Sequence, residues 1–507
     1  EKNLFHMFDK ETVPYVNKDV PTPAGGKRSP FMKLAKDGNA YQKLMAGLAM
    51  AGSSDYDTAI GGTQYTARIN AMKEDTIDTD LIYHHTKQID WNSENCQLGQ
   101  MAGDCVDLNT ENPVVFNYLK ECYVNYINMG VDAFRIDTVK HISRLTFNKE
   151  FIPAFMEAGG ENFYIFGETC ARYRGRWNEG VPALSPSFYT WKENQEFAWN
   201  STGSTEESKT NSASATAHFT KYKSDFSHPA WADGIANHLL KGNEYHTPDY
   251  SMRSRLDQID FPMHWAFANA NDAFSTAVNT NDPDFNDATW NVVYVDSHDY
   301  APDNAPESQR YAKTEEWPRN LNLMFTFRGI PCIYYGSEIE FMAGAPIDPA
   351  NTRTSLDKSG RAYFGDFLEG SITADDFGVY TASGTVEETL NHNLAQHIIR
   401  LNQIRRAIPA LRKGQYSTEG CEGSIAFKRR YTDNSIDSFA LVAIGGQATF
   451  KGVPSGEYVE VITGKTVNSS GTITTDSIER GNMRVYVLKT DSCEVDGKIG
   501  KDGAYLK

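Results

Sequence analysis

The sequence predicts an α/β chain, with parallel βα units through its middle and an antiparallel β-sandwich at its C-terminal end. Three observations carry this reading. Helical apolar periodicity alternates with short strand-like runs between residues 112 and 406, strands and turns alone remain after Lys413, and neither pattern holds for long before residue 112. At 507 residues the chain is long enough for two or three domains of ~100 to 200 residues each.

Taken in order, residues 1–112 carry scattered Gly, Pro, Asp and Asn with one weak helical patch near Tyr41 to Met50, and read as a loop-rich segment. At Asn112 the pattern changes. Asn112 can cap a helix, Pro113 fits its first turn, and Phe116, Leu119, Tyr123, Tyr126 and Ile127 recur at helical spacing until Gly130. Strand-like runs follow at 131–137, Asn162 to Glu168, Asp257 to Met263, Asn291 to Asp296 and Ile330 to Tyr335, with helices at Pro318 to Arg328 and Leu394 to Arg406. Residues 113–412 thus form the α/β domain. Residues 413–507, with "SIAFKRRYT", "SFALVAIGG", "EYVEVITG" and "MRVYVLKT" between turn residues, form the sandwich.

Charge narrows the partners. With 49 Lys+Arg against 66 Asp+Glu the net charge is −17, which repels nucleic acid and anionic membrane surfaces. No run of 18 apolar residues offers a membrane span, and Glu1-Lys2-Asn3 does not read as a secretion signal. Seven cysteines without a CxxC argue against a zinc site or a disulfide scaffold. Cys96 and Cys105 could close their loop as a disulfide in an exported protein, while Cys122, Cys170 and Cys332 are expected to be buried thiols. His84-His85 is expected to make a loop contact. Asp282 to Asp287, "DPDFND", starts like an EF-hand loop but lacks its glycine and glutamate, and is expected to be a solvated acidic loop.

The chemistry concentrates at strand ends. In "GVDAFRIDTVKHI", Val131, Ala133, Arg135 and Asp137 share one face and Phe134 and Ile136 the other. If the apolar side packs under helices, the charged side faces a barrel interior, where burying Arg135 with Asp137 lets each offset the other's desolvation. "FYIFGE" ends in Glu168 and "VVYVDSHD" runs into His298 and Asp299. Carboxylates at the C-terminal ends of three parallel strands are what the catalytic face of a TIM barrel shows.

"GVDAFRIDTVKHI", "FGET", "VDSHD" and "GIPCIYYGSE" closely resemble, in order, the strand 4, 5, 7 and 8 motifs of the α-amylase superfamily of retaining glycoside hydrolases, and "DCVDLNTENPVV" resembles its motif before strand 4. The resemblance spans roughly residues 80–410. It implies a (β/α)8 barrel followed by a β-sandwich, acting on an α-glucan by endo-hydrolysis of α-1,4-glucosidic bonds in starch and maltooligosaccharides. Asp137 would be the nucleophile, and Glu168, with a raised pKa, the general acid and base. Asp299 would hold the sugar hydroxyls and stabilise the transition state, with His298 donating to the same ring. Arg135 would keep Asp137 ionised and oriented, and Lys140 and His141 would line the leaving-group side. Asp107 resembles a calcium-associated position. No organic cofactor is implied, and polymeric starch places the protein outside the cell.

Only strands 4 to 8 can be placed, and the strand 3 motif is absent from residues 1–80. An open five-strand arc leaves a raw sheet edge. The chain is therefore expected to be part of a longer polypeptide, with residues 1–112 corresponding to the insertion after strand 3. Competing functions are a transglycosylase or debranching enzyme on the same barrel, and a catalytically silent glycan-binding relative.

Overall fold

The computed structural model describes residues 81–84, 89–99, 107–171, 178–224, 245, 250–302, 309–347, 360–361, 364–501 and 505–507. Most of the loop-rich segment, and any strand in residues 1–80, lies outside the described residues. The chain divides into two compact units. The first holds residues 1–170, 177–229 and 254–256, and the second 171–176, 230–253 and 257–507.

In the first unit, β1 (Tyr83–His84) pairs antiparallel with β2 (Asp107–Leu108), and a short helix α1 (Asn95–Leu98) lies between them in sequence. Helix α2 (Pro113–Asn128) starts as its sequence requires: Asn112 is extended and its side chain accepts from the Val114 N–H at 2.9 Å, with Pro113 in the first turn. That cap is worth about 1 kcal/mol. Val115, Phe116 and Ile127 turn inward, while Tyr123 and Tyr126, counted in the same stripe, are half exposed. Gly130, at φ +102°, takes the chain out of the helix where a side chain would be strained. Strand β3 (Ala133–Ile136) follows, then α3 (Ile152–Gly159), β4 (Tyr164–Gly167) and α4 (Thr205–Tyr222). The apolar face of β3 packs as expected, with the Phe134 ring edge-on to Phe155 at 5.2 Å and to Phe163 at 5.1 Å.

In the second unit the expected strand Asp257 to Met263 is shorter. Strand β5 (Leu256–Gln258), at which the chain passes between units, gives way to helix α5 (Phe261–Ala266), because Asp260 caps the Met263 N–H at 3.0 Å and Pro262 sits in the first turn. Ile259 bridges Val292 in parallel, and β6 (Val292–Val293) pairs in parallel with β7 (Ile330–Pro331) after α6 (Trp317–Thr326). This ladder follows chain order, as successive barrel strands do. Its strands are regular over two residues each, and no closed ring is seen among the described residues.

"DPDFND" is not a solvated loop. Asp282, Asp284 and Asp287 are buried, and Arg328 Nε donates to Asp282 Oδ2 at 2.9 Å while its two terminal nitrogens reach Asp260 and Asp282. The Tyr416 hydroxyl donates to the same Asp282 oxygen at 2.8 Å. The cation that pairs with this acidic run lies 46 positions away in sequence, out of reach of any local pattern.

Beyond the hairpin β8 (Ser371–Asp376) and β9 (Val379–Ser383) and helix α7 (Asn393–Ala407), the C-terminal strands are β10 (Gln415–Ser417), β11 (Cys421–Glu422), β12 (Ala426–Thr432), β13 (Asp437–Ile444), β14 (Thr449–Lys451), β15 (Gly456–Glu460), β16 (Thr466–Ser469), β17 (Thr472–Thr474) and β18 (Met483–Leu488). They form a six-stranded antiparallel sheet, ordered β10-β12-β13-β18-β15-β16, and a three-stranded sheet, β11-β14-β17. Strand β13 shows why. Ala440, Val442 and Ile444 pack with Leu321 and Phe325 of α6 and Leu401 and Ile404 of α7, while Phe439, Leu441 and Ala443 pack with Phe450 and Ile473 of the small sheet. Both faces of the large sheet are covered, and each large apolar side chain buried there contributes ~1.5 to 3 kcal/mol.

Candidate active site

The first unit brings Asp137 and Glu168 to one level. Strands β3 and β4 are parallel with Ala133 opposite Tyr164 and Ile136 opposite Gly167, so the next residues on each strand are Asp137 and Glu168. The ladder continues past both: Glu168 N donates to Ile136 O at 2.8 Å, and Val139 N to Glu168 O at 2.7 Å. Arg135 joins the carboxylates, one guanidinium nitrogen lying 3.1 Å from Asp137 Oδ1 and another 2.6 Å from Glu168 Oε2. One planar fork thus bridges both carboxylates, each through a different nitrogen.

Their environments differ. Glu168 is 7 % exposed, whereas the Asp137 side chain is 67 % exposed and Arg135 34 %. The expectation of a buried Arg135–Asp137 pair is therefore corrected. The charged face of β3 is open, and a pair so exposed is worth at most ~1 kcal/mol, enough to orient Asp137 but not to hold the strand. Directly after Asp137 the backbone turns through Thr138 at φ +49°, a left-handed conformation costly for a β-branched residue.

That turn starts a short 3₁₀ segment, Val139–His141. The buried Lys140 ammonium donates to Cys170 O at 2.6 Å, which ties the end of β3 to the chain two residues past Glu168. His141 Nδ1 lies 2.7 Å from Cys96 O. Burial outweighs that bond and lowers the imidazole to about 4, so at neutral pH the ring is uncharged, with its proton assigned to Nδ1 and Nε2 left as an acceptor.

In the second unit, Asp299 and His298 follow β6. Ser297 Oγ accepts from the Asp299 and Tyr300 N–H groups at 3.2 and 3.1 Å, fixing the turn that carries Asp299. His298 Nε2 lies 2.8 Å from Asp299 Oδ2, and Arg361 stands 3.4 Å from Oδ1. The His298 bond, followed by the Arg361 charge, holds the Asp299 carboxyl below its usual range. His298 thus contacts the neighbouring carboxylate through Nε2.

A family model, the catalytic domain of alpha amylase, matches residues 70–361, more than half of the chain. The chain belongs to the alpha-amylase family. Its relatives include the cyclomaltodextrin glucanotransferase of Bacillus sp. (strain 38-2), 22 % identical over 94 % of this chain and 56 % of that protein. Another is the beta/alpha-amylase of Paenibacillus polymyxa, 25 % identical over 72 % of this chain and 22 % of that protein. The alpha-amylase crystal structure from Geobacillus thermoleovorans aligns with a TM-score of 0.46 at 16 % identity, covering 82 % of this chain and 73 % of that one. The chain spans about half the length, or less, of these curated relatives.

Three further residues of this alpha-amylase-family chain stand close to the expected ones, two of them, Arg361 and Trp91, not singled out in the sequence. Arg361 reaches Asp299 from 62 positions away. Trp91, 48 % exposed, meets the His141 ring edge-on at 5.3 Å and has the Lys140 ammonium over its face at 5.2 Å. The third is His84, which does more than make a loop contact: its Nδ1 lies 2.7 Å from Asp107 Oδ2, and its Nε2 3.0 Å from Glu111 Oε2. Burial alone would lower its pKa, but the bond to Asp107 and the contact to Glu111 outweigh it and raise the imidazole to about 10. No sequence pattern announces these contacts, since each partner lies more than twenty positions away.

The cysteine expectations also change. Cys96 is a free thiol, with Sγ 3.6 Å from His141 Nδ1, and Cys105 lies outside the described residues. Cys122 and Cys170 are partly buried, while Cys332 is exposed although its N–H donates to Val293 O at 2.8 Å. No helix among the described residues is long and apolar enough to cross a membrane.

Proposed function

We propose that this chain cleaves α-1,4-glucosidic bonds of starch-type glucans with retention, through Asp137 and Glu168. The observation that carries this reading is the in-register end of β3 and β4, which gives two carboxylates one guanidinium and two different exposures. In the first step an Asp137 oxygen attacks the anomeric carbon as the C1–O bond to the leaving sugar breaks, and Glu168 passes its proton to that oxygen. In the second, water attacks the same carbon, Glu168 takes its proton, and the Asp137 ester is released. Arg135 is a positioning residue. Asp299 is assigned the third carboxylate, binding hydroxyls of the reacting sugar. His141, as a neutral acceptor, and Trp91, as an apolar wall, are assigned to the leaving-group side with Lys140.

The names of the relatives favour a second acceptor besides water, since several are cyclomaltodextrin glucanotransferases. A sugar hydroxyl in place of water gives transglycosylation with unchanged first-step chemistry. Digestion of amylose with product analysis separates the two: linear maltooligosaccharides for hydrolysis, cyclic or lengthened products for transfer. A polymeric substrate and an acidic chain favour an extracellular place of action. The deciding experiment is Asp137→Asn, for which kcat on amylose should fall by ~10³-fold or more; unchanged turnover would end the assignment.

A further inference from the structure

The turn after β7 is strained and wraps around the buried Arg310. Within residues 334–345, Glu340 at φ +53° and Met342 at φ +49° are left-handed, a conformation that costs a non-glycine residue of order 1–3 kcal/mol and persists only where its surroundings enforce it. Arg310 supplies that enforcement. Its side chain is 2 % exposed, and its Nε donates at 3.3 Å to Phe341 O, the carbonyl of the residue between the two strained ones. One terminal nitrogen stands 3.4 Å from Ser337 Oγ and 3.5 Å from Tyr335 O, and the guanidinium lies over the Tyr334 ring, 4.5 Å from its centre. The Arg310 backbone grips the far end of the turn, donating to Ala345 O at 2.9 Å and accepting from Gly344 N at 3.0 Å.

The same side chain reaches the segment that carries Asp299. Ser337 Oγ donates to Asp296 Oδ1 at 2.7 Å, and the other oxygen of Asp296 lies 3.9 Å from the guanidinium. Asp296 precedes Asp299 by three positions. A buried arginine placed for charge alone meets its carboxylate fork to fork, as Arg328 meets Asp282. Arg310 directs its donors to the turn instead. From that turn the Tyr334 hydroxyl donates to Arg361 O, and the Tyr334 ring lies 6.4 Å from that of His298. Arg361 and His298 both engage Asp299.

We infer, on the reading of Asp299 as the third carboxylate, that Arg310 is a positioning residue for it: Arg310 fixes the turn that carries Tyr334, and Tyr334 holds Arg361 beside Asp299. The test is a double-mutant cycle on the kcat of the full chain with maltooligosaccharides. Arg310→Lys keeps the charge but loses the planar fork, and should lower kcat ~10-fold with KM little changed. Arg361→Ala should lower kcat as well, and adding Arg310→Lys to it should lower kcat no further, because the two act as one unit. Losses that multiply overturn the inference, as does wild-type kcat in Arg361→Ala, or an Arg310→Lys enzyme that loses thermal stability alone. Should Arg310→Lys fail to fold, Ser337→Ala, which removes only the hydroxyl between Arg310 and Asp296, replaces it in the cycle under the same criteria. Asp299→Asn is measured alongside. Wild-type kcat in that variant overturns the role of Asp299 and the inference with it, whereas lost turnover there beside wild-type kcat in Arg310→Lys removes the inference alone.

Discussion

At the scale of single residues, the contrast between Asp137 and Glu168 is one of surroundings. Both are carboxylates at strand ends, yet one is open and the other covered, and the same arginine touches both. Arg135→Lys keeps the charge but loses the fork, and a lysine ammonium can engage only one partner firmly. Its kcat on maltooligosaccharides should fall ~10 to 100-fold with KM nearly unchanged, and an equal effect on KM would reassign Arg135 to substrate binding. Trp91→Ala should show the opposite split. Losing an apolar wall worth about 1–2 kcal/mol raises KM for long substrates roughly tenfold, and an unaltered KM with a reduced kcat would move Trp91 out of the leaving-group side. The carboxylates and Arg135 were legible because strand periodicity places them on one face. Trp91 and Arg361 were not, because their neighbours come from distant segments.

At the scale of elements, the local code was read well where it is self-contained. Asn112-Pro113 opened α2 where cap and proline chemistry require, and the alternation in β3 put Phe134 inside and Arg135 outside. Asn112→Ala removes an acceptor for the Val114 N–H and a donor to Leu81 O, and should cost ~1 to 2 kcal/mol in urea unfolding. A change under ~0.3 kcal/mol would show that the cap is replaceable by water. The code was misread where a cap was hidden inside an apolar run, as at Asp260 before α5. It was misread again where buried charge had no nearby partner, as in the Asp282 to Asp287 segment.

At the scale of the whole molecule, buried titratable groups define a window of stability. Burial lowers His141 and His218 to about 4 and His397 to about 3, all from 6.5. A histidine depressed in the folded state binds fewer protons there than in the unfolded chain, so its contribution is complete above pH 6.5 and is lost as the pH falls toward 4 and 3. Glu193 adds to the same trend: burial opposes its ionisation, but the bond from His218 and the charge of Arg144 bring it from 4.5 to about 2, so its contribution is lost as the pH falls through that range. His84 has the opposite sign. Raised to about 10, it stabilises below pH 6.5, and that contribution is lost as the pH rises through 10. Denaturant midpoints should therefore be flat near neutrality and fall between pH 6.5 and 4, and a constant midpoint down to pH 4 would refute this account.

The sequence by itself determined the succession of helices and strands in the α/β region, the two-sided C-terminal sheet, the faces of β3 and the family motifs. Each of these rests on periodicities of two or 3.6 residues, or on neighbours within one turn. Only the tertiary structure decided which charges meet: Arg328 with Asp260 and Asp282, His84 with Asp107 and Glu111, Lys140 and His141 with Trp91. Coulombic and hydrogen-bonding partners are chosen by distance in space, and a folded chain brings together groups that no local window contains.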